Sequence, residues 1–184
     1  LGALAAAGMA TLGYSLWEAR QYTLRRARIS LPRTRERAAS DLRVLHLSDL
    51  HLSPRDRHRA DWVRSLAELS PDLTVVTGDF CGHPDGPALA LAALEPLMGG
   101  PGLFVRGSND YFAPSRSNPT KYLRGPSELR TRRAPIDVTP LNRGLAEAGW
   151  HDLDNESITL TIGDWWIDAR GVDDPHIGRD RYAD

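Results

Sequence analysis

Apolar positions along this chain gather into short runs that stop abruptly at aspartate, histidine or glycine. Residues 43–48, 72–77 and 102–106 are rich in Leu, Val and Phe and too short for helices, so they predict three buried strands. Between them the apolar spacing changes to that of a helix. Trp62, Val63, Leu66 and Leu69 share one face of a helix over 59–68, and Leu91, Leu94 and Leu97 one face of a helix over 88–98. Strand, helix and strand in alternation predict βαβ units with a parallel sheet. Further on, residues 141–148 read as a helix ending at Gly149. Residues 157–162 and 165–169 read as a hairpin turning at Gly163-Asp164, the start of a second sheet.

Polar side chains after the three strands carry the candidate chemistry. Asp49-Leu50-His51 follows the first, Gly78-Asp79 the second and Gly107-Ser108-Asn109-Asp110 the third. Right-handed crossovers return parallel strands in one direction, so these loops converge on one crevice although they lie about 30 residues apart. On an extended chain Asp49 and His51, two apart, project to the same side. Carboxylate, imidazole and amide without thiolate suit Mn, Fe, Mg or Zn as divalent ions and do not suit a closed structural zinc site. A single cysteine, Cys81, excludes a four-cysteine finger and an internal disulfide.

These blocks resemble those of the calcineurin-like metallophosphoesterases, D-x-H, G-D and G-N-H-[DE] followed by two His-containing blocks. Leu45-His46-Leu47-Ser48-Asp49-Leu50-His51 and Gly107-Ser108-Asn109-Asp110-Tyr111 are similar to the membrane-associated bacterial branch. The resemblance implies an α/β fold, the family's four-layer α/β/β/α sandwich, here incomplete. It also implies a centre of two divalent metal ions, with Asp49 and His51 on the first and Asp79 bridging both. Asn109 is the expected third-block ligand of the second ion if the loop bulges by one residue; an ungapped match gives that place to Ser108 and puts Asn109 where the family has its catalytic His. Asp110 can orient Asn109 or a water, or serve as a turn residue. The activity implied is hydrolysis of phosphoesters by metal-activated water. The alternative is a membrane-tethered, non-catalytic binding module with a degraded site.

At 184 residues one main domain is expected, and a net charge of −1 gives no general attraction to nucleic acid. The amino-terminal 17 residues carry no charge and precede Glu18, Arg20, Arg25, Arg26 and Arg28, which adds a candidate membrane anchor with a basic flank at 1–28. A buried Ala-rich helix or the remnant of a signal sequence has the same composition. Residues 29–41 read as a linker and 42–184 as the amino-terminal portion of the phosphoesterase domain, because no Gly-His-x-His follows Asp173-Asp174-Pro175-His176. A chain cut there is expected to be inactive alone. The anchor predicts membrane association, and its arginines favour a cytoplasmic catalytic domain. Phosphoester substrates, including nucleotides and lipid-linked phosphates, fit such a centre.

The Pro- and Arg-rich stretch 113–137 is either a solvated loop or a lid that recognises phosphate. His46 alternates within the first strand and is expected in the core. His58 and His151 read as surface positions, and His83 and His176 as turn residues with access to the crevice. Walker, dinucleotide-binding and nucleophile-elbow patterns are absent from the sequence.

Overall fold

A computed structural model describes residues 2–31, 40–114 and 133–181. The chain divides into two units, Leu1–Thr34 and Arg35–Asp184. The described part of the first contains one helix, α1 (Gly2–Glu18), which exposes Met9, Leu12, Leu16 and Trp17. Its 17 residues reach only about 25 Å at 1.5 Å per residue. Among the described residues no helix is long and apolar enough to cross a membrane.

The second unit is built on a parallel sheet, β1 (Val44–Leu47), β2 (Leu73–Thr77), β3 (Gly102–Val105) and β4 (His151–Asp152), in spatial order β1-β2-β3-β4. Helix α2 (Arg57–Ser65) connects β1 to β2, and α3 (Gly86–Leu94) connects β2 to β3. Both helices run on into single 3₁₀ turns, Leu66–Leu69 and Glu95–Leu97. In the second, Pro96 has no N–H to continue the α pattern. After β3 come the single turn α4 (Ser108–Tyr111) and α5 (Thr139–Glu147), and after β4 the antiparallel hairpin β5 (Ser157–Ile162) and β6 (Trp165–Arg170).

Strand alternation divides the core into two layers. Leu45, Leu47, Val76 and Phe104 face the helices and pack with Val63, Leu94, Leu141 and Leu145. Leu73, Val75, Leu103 and Val105 face the other way, onto Ile158, Leu160 and Ile167 of the hairpin. Helices, parallel sheet and hairpin thus supply an α/β/β arrangement, consistent with the sandwich that the sequence implied.

Two expectations need correction. His46 is exposed, with Nε2 2.7 Å from Thr77 Oγ1. The apolar cluster under the hairpin draws on β2 and β3, while Val44 and His46 share the uncovered face of β1. The fourth strand was not expected either, because two polar residues carry no apolar period. Pairing with Leu103 and Phe104 of β3 makes His151 and Asp152 a strand.

Close packing at Gly102 fixes where β3 begins. A Cβ there would overlap the indole of Trp150, which is buried and donates Nε1–H to the Gly100 carbonyl at 3.1 Å. Gly102→Ala is therefore expected to lower the unfolding free energy by about 1–3 kcal/mol, measured by urea denaturation; unchanged stability would mean that the indole has room to move.

Candidate metal centre

The crevice forms where β1, β2 and β3 end side by side. Their register pairs Leu47 with Val76 and Thr77 with Val105, so the following loops leave the sheet at one level. Backbone bonds continue beyond the strands. Asp49 N–H donates to the Gly78 carbonyl at 3.1 Å, His51 N–H to Asp79 at 2.8 Å and Leu52 N–H to Phe80 at 2.8 Å.

Asp49, His51 and Asp79 all adopt left-handed backbone, with φ of 55°, 41° and 55°. The Asp49–His51 segment is accordingly not the extended chain on which their shared side was expected. Its side chains converge because two consecutive strand-end loops turn sharply while bonded to each other. Such conformations cost about 1–3 kcal/mol per residue and persist where surrounding contacts enforce them, commonly at functional sites.

One ligand atom from each of Asp49, His51 and Asp79 lies within 4.8 Å of the others. His51 Nε2 is 3.8 Å from Asp49 Oδ1 and 3.6 Å from Asp79 Oδ2. Two carboxylates and an imidazole at this separation are a donor set for a hard or borderline divalent cation, so the residues fit the group expected there.

The third block closes on Asp79 through Asn109. The Asn109 backbone N–H donates to Asp79 Oδ1 at 3.0 Å, and Nδ2 donates to Oδ2 at 2.7 Å. Gly107 makes this approach possible, since a Cβ there would run into the Asp79 carboxylate. Arg133 Nη1 stands 3.4 Å from Asn109 Oδ1. Ala113 N–H donates to the Ala134 carbonyl at 2.8 Å and Ile136 N–H to Tyr111 at 2.9 Å, holding the two ends of the 113–137 stretch together beside α4. Arg116, Lys121, Arg124, Arg130 and Arg132, the other basic residues of that stretch, lie outside the described residues.

Asp110 points away from the crevice. It is fully buried, and its carboxylate accepts the backbone N–H groups of Cys81 and Gly107, each at 2.9 Å. Burial pushes its pKa up to about 6 against those two donors. It thereby ties the loop after β2 to the loop after β3. Burial, followed by the Asp110 charge, also pushes the Cys81 thiol well up, which keeps it protonated and unreactive. His83 accepts the Asp85 N–H at 3.2 Å, and His176 is an exposed turn residue whose N–H donates to Asp174.

A second cluster, not foreseen from sequence, lies along the crevice wall. Tyr111 projects between Arg106 and Arg179, whose guanidinium carbons are 5.3 and 4.1 Å from its ring centre. Its hydroxyl is 2.8 and 2.9 Å from the oxygens of Asp173 and 3.2 Å from Asp154. Asp173-Asp174 stood in the sequence next to His176; the buried member is Asp173.

An α/β protein that gathers carboxylate, imidazole and amide groups at the carboxyl ends of its parallel strands has the architecture of a metal-dependent hydrolase of the metallophosphoesterase class. The model of the calcineurin-like phosphoesterases matches residues 42–179, and the chain belongs to that family. A Bos taurus protein named "Transmembrane protein with metallophosphoesterase domain" is 32% identical over 143 residues, which are 73% of this chain and 28% of the relative. The chain thus spans less than a third of that protein's length.

The buried Asp110 carboxylate yields a direct stability test. Asp110→Asn keeps one acceptor oxygen but sets an NH₂ group against a backbone N–H. The expected loss is about 1–3 kcal/mol of unfolding free energy, measured by urea denaturation, with circular dichroism reporting retained secondary structure.

Proposed function

We propose that this chain carries ligands of a two-metal phosphoester hydrolase centre, in which Asp49 and His51 would hold one ion, Asp79 would be shared by two and Asn109 would serve the second. The observation that carries this reading is the convergence of the Asp49, His51 and Asp79 donor atoms within 4.8 Å, with Asn109 on the Asp79 carboxylate. Divalent ions bound there supply Lewis acidity toward phosphoryl oxygens and lower the pKa of water toward neutrality. Asp79 suits the bridging place because it offers two oxygens and its charge offsets paired cations.

Asn109, rather than Ser108, is the third-block residue we assign as ligand, since its amide already reaches Asp79. Asp110 is a positioning residue that fixes the glycine-led loop from below. Arg133, next to Asn109, supplies a cation beside the third block, and a guanidinium matches phosphate oxygens in pairs. Phosphoesters are the substrate class, with nucleotide and lipid-linked phosphates included.

In the complete protein, Asp79→Asn is expected to lower hydrolysis of a generic aryl phosphate at least about a hundredfold with folding retained, because the bridging charge disappears. Activity equal to wild type at saturating Mn²⁺ would remove the bridging assignment. Absence of bound metal from both proteins would instead favour the non-catalytic binding module.

The amino-terminal unit is proposed as a membrane-surface anchor. Apolar side chains exposed on α1 and arginines at 20, 25, 26 and 28 combine hydrophobic insertion with attraction to anionic headgroups. By the same charges the catalytic unit is assigned to the cytoplasmic side. Deleting residues 1–28 is expected to move the complete protein from the membrane pellet to the soluble fraction with activity on a soluble phosphoester unchanged. Continued sedimentation would locate the membrane contact elsewhere.

A further inference from the structure

We propose that Tyr111 is a positioning residue that holds the substrate-side wall of the crevice, acting through Asp173 and Arg179 on phosphate binding rather than on the metal ligands. This rests on the hydrolase reading above and assigns a role to a cluster outside the ligand set.

A cleft of about 250 Å³ has Asp49 and Asp79 on one side and Val172, Asp173, Asp174 and Pro175 on the other. Residues of the second wall follow β6 and belong to no regular strand or α-helix. What fixes them is a set of contacts to α4 and to the β4–β5 connection. Asp173 takes the Tyr111 hydroxyl at 2.8 Å, Arg179 Nε at 3.0 Å and the Asp174 N–H at 2.7 Å. The Asp173 N–H in turn donates to Asn155 Oδ1 at 3.2 Å. With one proton, the Tyr111 hydroxyl donates to one carboxylate at a time, and Asp173 is nearer than Asp154.

The electrostatics point the same way. Four carboxylates, Asp49, Asp79, Asp173 and Asp174, line the cleft, and its Arg106 is committed to Asp152 at 3.2 Å and to Asp154. A phosphate entering this space meets like charge unless the wall carboxylates are turned elsewhere. Tyr111 and Arg179 do this for Asp173, which is 4% exposed and directs its oxygens to them. Burial opposes its ionised form, but the Asp174 N–H, Arg179 and Tyr111 together hold its carboxyl below the usual range. Contacts of the Tyr111 ring with the guanidiniums of Arg179 and Arg106 help to hold the hydroxyl at that carboxylate. Because α4 also carries Asn109, the wall is pinned to the element that touches Asp79.

Loss of the hydroxyl with the ring retained isolates this role. In the complete protein loaded with Mn²⁺, Tyr111→Phe is expected to raise KM for an aryl phosphate about tenfold and to weaken inorganic phosphate binding, measured by calorimetry, by the same factor. Bound metal should be unchanged, and kcat should stay within about twofold. Arg179 is half-exposed and tolerates replacement, so Arg179→Met provides a variant that does not depend on how Tyr111→Phe folds. It should raise both constants as well, and the double variant should be no worse than the more affected single, since both act through Asp173. A lower melting temperature with KM and phosphate affinity unchanged would reduce Tyr111 to a structural part and overturn the proposal. So would loss of bound metal, or additive effects in the double variant. Where turnover proves independent of Asp79, the hydrolase reading fails by itself, and the phosphate affinities of the same variants still decide whether Tyr111 holds the wall.

Discussion

Three parallel strands that stop together, and loops that stay bonded to each other past the point where they stop, govern this crevice. The β1–β2 and β2–β3 registers deliver Leu47, Val76 and Phe104 to one level of the sheet. Beyond it, Asp49, His51 and Leu52 continue to donate backbone hydrogen bonds to the loop after β2. Those bonds hold the backbones of the two loops side by side, and one ligand atom from each of Asp49, His51 and Asp79 lies within 4.8 Å of the others. The left-handed turns they require are unfavourable locally, so the packed sheet and helices must enforce them. Gly107 and Asp110 complete the enforcement from the third loop, the first by lacking a Cβ where Asp79 passes and the second by receiving two backbone donors in the interior. Ligand convergence here is a property of backbone pairing, and the ligand side chains inherit it.

What was legible in the sequence follows from this. Leu45, Leu47, Val76, Phe104 and the apolar faces of α2 and α3 sit in the core because burying them drives folding, and burial leaves a period in the sequence. The strand-end motifs were legible because carboxylate and imidazole at the carboxyl ends of parallel strands have few structural uses. Their turn conformations were not, since Asp and His carry no mark that distinguishes extended from left-handed backbone. His46 was misplaced because alternation states only which face a residue shares, and the hairpin covers that face over β2 and β3. That Arg106, Tyr111, Asp154, Asp173 and Arg179 would meet was not legible, although Tyr111 and Asp173 stood in sequence motifs. Charged residues scattered over 74 positions have no period, and their meeting depends on where the β4–β5 connection and the chain after β6 are laid down.

The two clusters differ in how they satisfy charge, and this separates their tasks. Around Tyr111, two guanidiniums meet three carboxylates, Asp152, Asp154 and Asp173, through direct contacts. At Asp49, His51 and Asp79 the nearest carboxylate-to-imidazole distances are 3.6 and 3.8 Å, looser than hydrogen bonds, and the protein donors are the Ser48 hydroxyl on Asp49 and Asn109 on Asp79. The two carboxylates of this group repel each other at such separations. A cation among them would offset that repulsion, which is the physical ground for proposing a metal centre here.

The same reasoning couples metal to substrate. A phosphate carries negative charge into a cleft whose lining includes four carboxylates, and Arg106 is already engaged with Asp152 and Asp154. Phosphate binding without cations is therefore opposed by Coulomb repulsion in a partly enclosed space, where screening is weaker than in bulk water. Cations held by Asp49, His51 and Asp79 would offset that repulsion. Each ligand then stabilises the other by the same free energy, because linkage between two binding equilibria is reciprocal. On the proposed reading, the acidic crevice would make metal occupancy the condition for holding an anionic substrate, and the Tyr111 cluster would set how many of the wall's own charges that substrate encounters.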